Sequence, residues 1–483
     1  MLLVLLLILP LLAAVLALVL KADNLRPYLV PALALPWFAV LLLLIAGPTV
    51  HTPGYWLVLD PLGKLVLGTV GFLYVTCSFY APGYLHAFAE RPSRAYVACL
   101  CALLAPATAV VLSHHLGLMW VAMEATTLLT APLLYYNRNA KSLEATWKYL
   151  MICSVGIALA LLGSLFLGYA SVKSGLQSSL LFEDLLRTAP QLSRPWLHAA
   201  FALLVVGYGT KMGLAPLHTW KPDAYGEASG LVGALLAGGL TNVAFLAILR
   251  VARILGAAGE GVHARAVLTA LGLTSMAFAA VFTVRQRDLK RLLAWSSVEH
   301  MGILVLGIGI GGVAVFASLL HMIANALAKG TLFLCAANIH RTYHSKLIAE
   351  IHGVPRRLPV TGFLLLAAFF AITGSPPFAL FISQFTLLGQ LFALHQYLLA
   401  GGFLLLLALI FLGMGSSLLP MVHGDPRIDR EPTESGFQPT AEPLWSILPP
   451  ALLLLCLLVL GIHIPLPLER LIHDAAALLE VLR

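Results

Sequence analysis

Charge is scarce in this sequence: 10% of its 483 residues are Asp, Glu, Lys or Arg, against 60% that are hydrophobic. A soluble domain carries about 25% charged residues, and a single water-soluble core stops growing near about 250–300 residues. A soluble enzyme, a disordered protein and a nucleic-acid binder are therefore excluded as leading readings. Cysteine is scarce as well. The six present (Cys77, Cys99, Cys101, Cys153, Cys335 and Cys456) lie in apolar runs without a C-x-x-C pair. They read as small buried hydrophobes and signal neither a zinc site nor an iron–sulfur cluster. The chain also lacks H-E-x-x-H, a P-loop, and G-x-G-x-x-G with a following acid, so nothing points to catalysis at a metal or nucleotide. This chain is expected to hold no cofactor and no metal, and no catalytic centre of its own. No basic residue precedes Lys21, so the positive n-region of a cleavable signal peptide is missing and the first apolar run reads as a retained span.

What the sequence has instead is apolar runs. A helical span needs about 20 such residues. Fourteen windows qualify: 2–20, 27–47, 58–80, 95–113, 115–135, 147–171, 196–217, 230–250, 266–284, 294–310, 313–338, 359–382, 396–420 and 444–464. The expected fold is an all-α polytopic membrane protein. Numbering the loops alternately sorts the 29 Lys and Arg residues unequally. Eighteen fall on the side of the first loop, including Arg91, Arg138, Lys221, Arg285, Lys290 and Arg356. Eight, including Arg194, Arg250 and Arg253, fall on the other, while Lys64, Lys211 and Lys329 lie within spans. By the positive-inside rule the richer side is cytoplasmic. Both termini then face outward from the cell's inner (plasma) membrane, and the net charge of +8 has its origin in cytoplasmic loops.

The pattern divides the chain into 1–94 with three N-terminal spans, 95–251 with spans four to eight, and 266–420 with spans nine to thirteen. A Pro-, Asp- and Glu-containing linker follows at 421–443, then a last span and tail over 444–483. In the tail, Leu468, Leu471, Ile472, Ala475, Leu478 and Leu479 recur at helical spacing, as in an amphipathic helix on the outer interface. Span seven is interrupted by glycines around Lys211 and by Pro216, and span twelve by Thr-Gly-Ser-Pro-Pro-Phe at 373–378. Proline removes a backbone hydrogen bond and glycine weakens a helix. Broken helices at membrane depth line cavities or ion sites. Two breaks five spans apart suggest a five-helix repeat used twice, and an odd number of spans would invert the second copy.

Charges inside spans cost from about 2.5 to 10 kcal/mol or more. Glu124 lies in span five, Lys211 in span seven, and Lys329 in span eleven, two turns after His321. Glu124 and Lys211 form either a static ion pair that fixes packing or a proton relay in which desolvation and a neighbouring carboxylate tune the lysine. His114 and His115 fall at a short outer turn and read as solvated. His218, His300 and His321 lie at or within spans, where packing and relay are equally open readings.

Four stretches carry a resemblance. They are WVAMEATT at 120–127, GTKMGLAPLHTWKPDA at 209–224, DLKRLLAWSSVEHMG at 288–302 and HMIANALAKGTLF at 321–333. Over about residues 55–420 the chain resembles the antiporter-like, proton-translocating membrane subunits of respiratory complex I and its Mrp relatives. The hydrogenase-4 component F type of membrane-bound hydrogenase is the branch favoured by 297–302. The resemblance implies fourteen core helices, two inverted five-helix repeats and discontinuous helices seven and twelve. It also implies a proton path through Glu124, Lys211, His321 and Lys329. Beside that path, His218, Glu299, His300 and His395, the last about three turns beyond Gln384, are further relay candidates of the sequence itself. Partners would be other membrane subunits and a peripheral redox arm carrying iron–sulfur clusters, with a nickel–iron centre or a quinone site. The departures are Asn242, Asn325 and Gln384, which stand where relatives keep titratable groups, and Ser229, Gly230 and Leu231 in place of a Pro-x-Pro stretch. An amide cannot store a proton. Three functions stay open: a proton-moving subunit of a redox complex, a subunit of a sodium–proton antiporter or ion-coupled uptake system, and an architectural paralogue with translocation reduced.

Overall fold

Apolar runs in a bilayer find no water for their peptide groups, so they close their hydrogen bonds within helices. A computed structural model describes residues 1–424 and 441–482. In chain order the first helices are α1 (Leu2–Val19), α2 (Leu29–Ala46), α3 (Pro61–Ala87), α4 (Arg94–Ala102), α5 (Leu104–Leu112), α6 (Leu116–Leu134) and α7 (Ala140–Lys173). A short α8 (Phe182–Thr188) precedes α9 (Arg194–Met212), α10 (Trp220–Glu227), α11 (Gly230–Leu235) and α12 (Thr241–Ala257). Then come α13 (Gly261–Thr283), α14 (Leu289–Ile310), α15 (Val313–Tyr343), α16 (Val354–Arg357), α17 (Pro359–Ile372) and α18 (Ala379–Ala393). The series ends with α19 (Tyr397–His423), α20 (Leu444–Ile462) and α21 (Leu466–Ala477). Among the described residues twelve helical stretches are long and apolar enough to cross a membrane, and α17 and α18 are shorter apolar helices. Each of the fourteen windows falls on a helix or a broken helix. Most of the 421–443 linker, at 425–440, lies outside the described residues, as do Arg427, Arg430 and Arg483.

Local chemistry sets several helix starts. Asp60 accepts from Gly63 N at 2.8 Å ahead of Pro61, and Asn139 and Ser142 form a capping box. Asp288 accepts from the backbone nitrogens of Lys290 and Arg291. The centre of the bundle is α11–α12 with α14 and α15, buried on nearly every side. Around it, α2, α7, α13, α19 and α20 turn Leu43, Met151, Val281, Leu405 and Leu455 outward. That apolar exterior is what a lipid-facing surface requires. This is a multi-pass membrane protein.

Loops of like number gather at the same end of the bundle. At one end Arg91 donates to Asn137 (2.6 Å), Asn137 donates to Glu227 O (2.7 Å), and Lys346 pairs with Glu227 and Asp288. At the other, Arg194 and His198 meet Glu260, each at 3.1 Å, and Arg250 and Arg253 approach Asp60. Four of the counted loop charges need correction. Arg26 is buried and donates to the backbone oxygens of Ala17 and Leu20. Lys221 and Lys290 are buried, Lys290 donating to Ala228 O at 2.9 Å. Arg250 is buried too, and donates to the carbonyls of Val110, Val111 and Ser113 at the end of α5, where a cation complements the helix terminus.

His114 corrects the solvated reading: it is buried, 3.8 Å from Asp60 and 3.7 Å from Glu183. The 6–7 loop folds back over it, with Phe182 N on His114 O at 2.7 Å. Burial, and then Arg250, hold its imidazole below the usual pKa. His115 is half-buried, stacks on Trp56 and caps α6. The tail helix α21 packs on α3 and α15 through Ile472 and Ala475. Its extension lays Val481 and Leu482 against Gly256 and Gly261, where a side chain would collide with the tail backbone.

Candidate functional site

The break after α9 begins at Gly213, whose φ of +84° suits glycine. Beyond it the chain runs irregularly to α10. A helix end leaves carbonyls without partners, and here side chains from α10 supply them. Trp220 Nε1 donates to Thr210 O and Lys221 Nζ to Met212 O, each at 2.9 Å. Ser275 of α13 accepts from Ala215 N at 2.9 Å. Lys211, in the last turn of α9, is thereby held inside the bundle. Its ammonium donates to Tyr149 OH (2.7 Å) and Thr127 Oγ1 (2.8 Å) and lies 4.9 Å from the Tyr149 ring centre.

Glu124 lies one turn before Thr127 on α6 and is half-buried. One of its oxygens accepts from Ser154 at 2.8 Å; the other is enclosed without a protein partner. No ion pair joins Glu124 to Lys211 among the described residues, so the static-pair reading lacks its contact. Hydroxyl groups, not a carboxylate, hold the ammonium. A buried oxygen left open is a place for water.

The second group surrounds α14 and α15. Lys329 is fully buried with its ammonium on Leu293 O at 3.0 Å, and Glu299 is within its electrostatic reach. His300 Nδ1 and His321 Nε2 are 2.9 Å apart, and His321 Nδ1 is 2.8 Å from Ser383 Oγ on α18. Ser383 donates its proton to Leu380 O, so it accepts from His321 Nδ1. His321 Nε2 must then accept from His300 Nδ1. His300 Nε2 lies 3.9 Å from Glu299 and has no hydrogen-bond partner among the described residues. Carboxyl, imidazole, imidazole and hydroxyl thus lie in one series, and the bonded members share one sense: His300 Nδ1 donates to His321 Nε2 and His321 Nδ1 to Ser383 Oγ.

The remaining residues fall around this frame. His218, buried in the break, packs edge-on against Phe278 and Trp295, and its Nδ1 has no partner. Asn242 follows a π-helical turn at 236–240, donates to Gly238 O and leaves its carbonyl oxygen open. Asn325 is enclosed with neither side-chain atom partnered. Gln384 follows Ser383 and leans on Gly374 in the second break, its amide nitrogen unpartnered. His395 is exposed beyond α18 and bonded to Tyr397 at 2.8 Å; no contact connects it to Gln384 among the described residues. Sequence reasoning missed Lys221, Tyr149, Thr127 and Ser383. Hydroxyls carry no sequence signal, whereas Lys221, ten residues past Lys211 in the motif, could have drawn notice. No cluster of His, Cys, Asp or Glu positioned to hold a metal occurs among the described residues.

Comparison with known proteins places this arrangement. The family model described as NADH:quinone oxidoreductase/Mrp antiporter, TM, matches residues 113–416. The hydrogenase-4 component F homolog of Methylacidiphilum infernorum is 37% identical over 400 residues, covering 80% of this chain and 83% of that one. A chain of the membrane-bound sulfane sulfur reductase, an archaeal respiratory membrane complex, superposes with a TM-score of 0.89. It is 20% identical and covers 99% of this chain and 98% of its own. A chain of the Mrp complex from Dietzia sp. gives 0.83 at 21% identity, covering 98% and 96%.

Proposed function

The chain belongs to the NADH:quinone oxidoreductase/Mrp antiporter transmembrane family, and on that premise we propose that it moves protons as a membrane subunit of a redox-driven, hydrogenase-type complex. The intake half runs from Glu124 through the Thr127 and Tyr149 hydroxyls to Lys211. The output half runs from Lys329 and Glu299 through His300 and His321 to Ser383. Electron transfer takes place in partner subunits, which carry the redox centres; this chain couples to it mechanically. Cytoplasmic loops lie at the Arg91–Glu227–Lys346 end, and both termini face outward. The second five-helix unit repeats the first, inverted, with α17–α18 answering α9–α10.

One observation carries the reading: two ammonium groups, Lys211 and Lys329, are enclosed at the bundle centre on neutral oxygen acceptors. A cation at membrane depth is costly, so two lysines held there without a carboxylate partner among the described residues mark an ion path rather than a packing device. Gln384 favours a second reading for the last step. With an amide where a titratable group would receive the proton, α18 transmits conformational strain without completing a transfer, whereas in the first reading water completes the exit.

The test uses the whole complex in liposomes. Lys211→Ala and Lys329→Ala should each lower protons moved per electron while the electron-transfer rate persists. Unchanged pumping in both variants would refute the proposal.

A further inference from the structure

The two halves of the site share no bond through Asn242, whose amide can neither hold nor release a proton. Lys221 stands in the gap. Its side chain is fully buried, although a loop position was expected. Its Nζ donates to Met212 O at 2.9 Å, the carbonyl next to Lys211, and reaches Ser297 O at 3.5 Å. Ser297 lies four residues beyond Leu293 on α14, and Leu293 O holds Lys329. One turn of helix rises about 5.4 Å, so Lys221 and Lys329 hang on consecutive turns of the same α14 rail. On the other side, Trp220 packs edge-on against Tyr149, the residue that holds Lys211, at 5.1 Å between ring centres.

Space and unpartnered polar atoms support the placement. A Cβ at Gly213 would come within 2.6 Å of Lys221 Cδ and 2.9 Å of its Nζ, so the glycine clears the room the lysine fills. The Tyr225 ring centre lies 5.7 Å from the Lys221 nitrogen, and on the central helices α12 and α15 the carbonyl oxygen of Asn242 and both polar atoms of Asn325 are enclosed without partners. Such atoms are satisfied by buried water. The neighbours that bear on the charge are Cys153, Lys329, His218 and His300.

We infer that Lys221, delivered from the far side of the broken helix, is the relay group that joins Lys211 to Lys329 in place of a titratable residue on α12. The inference rests on the proton-moving reading above. In each cycle Lys211 gives a proton, through water, to the Lys221 amine, which becomes ammonium. Lys221 then passes one proton to the Lys329 amine and returns to its starting form. No net charge accumulates on it.

The alternative is that Lys221 only caps the end of α9, and three substitutions separate the two roles. Lys221→Gln keeps a donor to Met212 O but cannot be protonated, Lys221→Arg keeps the charge but cannot release it, and Lys221→Met keeps the length alone. In the purified whole complex, assembly is read from electron-transfer rate. Every variant that assembles should show the reduced proton-to-electron ratio of Lys211→Ala. Wild-type pumping in any of them would overturn the inference. If Lys211→Ala and Lys329→Ala pump normally as well, the underlying reading fails; if only the Lys221 variants do, the cap is the correct role.

Discussion

Tyr149→Phe removes a single oxygen from the site and leaves the ring in place. In the structure that oxygen is the nearest acceptor to the Lys211 ammonium, at 2.7 Å, with Thr127 as the second, at 2.8 Å. A hydrogen bond to a charged group contributes about 1.5–3 kcal/mol. Its loss at a fully enclosed ammonium is not made good by bulk water, so the balance between ammonium and amine shifts toward amine by roughly 10- to 100-fold. The aromatic face, 4.9 Å away, is retained by Phe, so packing and the cation–π contact persist. The assay is proton translocation by the reconstituted complex across a pH series, normalised to electron-transfer rate. Pumping should fall at the wild-type optimum and recover as pH is lowered, because a higher proton concentration refills the lysine. The sign is fixed: the substitution disfavours the protonated form, so acid restores it. A profile that superimposes on wild type would refute the claim that Tyr149 sets the protonation of Lys211.

Gln384→Glu places a titratable group beside Ser383, the last member of the His300–His321 series. If water completes the exit, pumping or its pH dependence should change; an unaltered proton-to-electron ratio would indicate that α18 only transmits strain. Cysteines placed singly at Arg138 and Arg285, with the six native cysteines replaced, should resist an impermeant reagent added outside intact cells. Labelling of either would overturn the proposed orientation.

The helices and their breaks were legible because their determinants are local. Gly213 and Pro216 interrupt α9, and 373–378 separates α17 from α18, where glycine and proline deny the helix its backbone bonds. Side-chain placement past a break was not legible. Helical periodicity fixes which face a residue occupies only while the helix continues. Beyond Gly213 the chain leaves helical geometry, and Lys221, counted as a loop cation, donates to Met212 O at the end of α9. His114 was misread for a related reason. The turn that holds it is short and polar, but residues from α8, about 70 positions later, cover it. The pairing of His300 with His321 depends on how α14 and α15 cross, which one helix's spacing does not encode. The absence of a Glu124–Lys211 ion pair follows from hydroxyl groups that no charge pattern reveals.

The central claim is that this subunit itself carries protons. The direct measurement is the proton-to-electron ratio of the reconstituted complex with and without this subunit, at matched electron-transfer rate. The account predicts a higher ratio with the subunit present; equal ratios would contradict it and leave an architectural role.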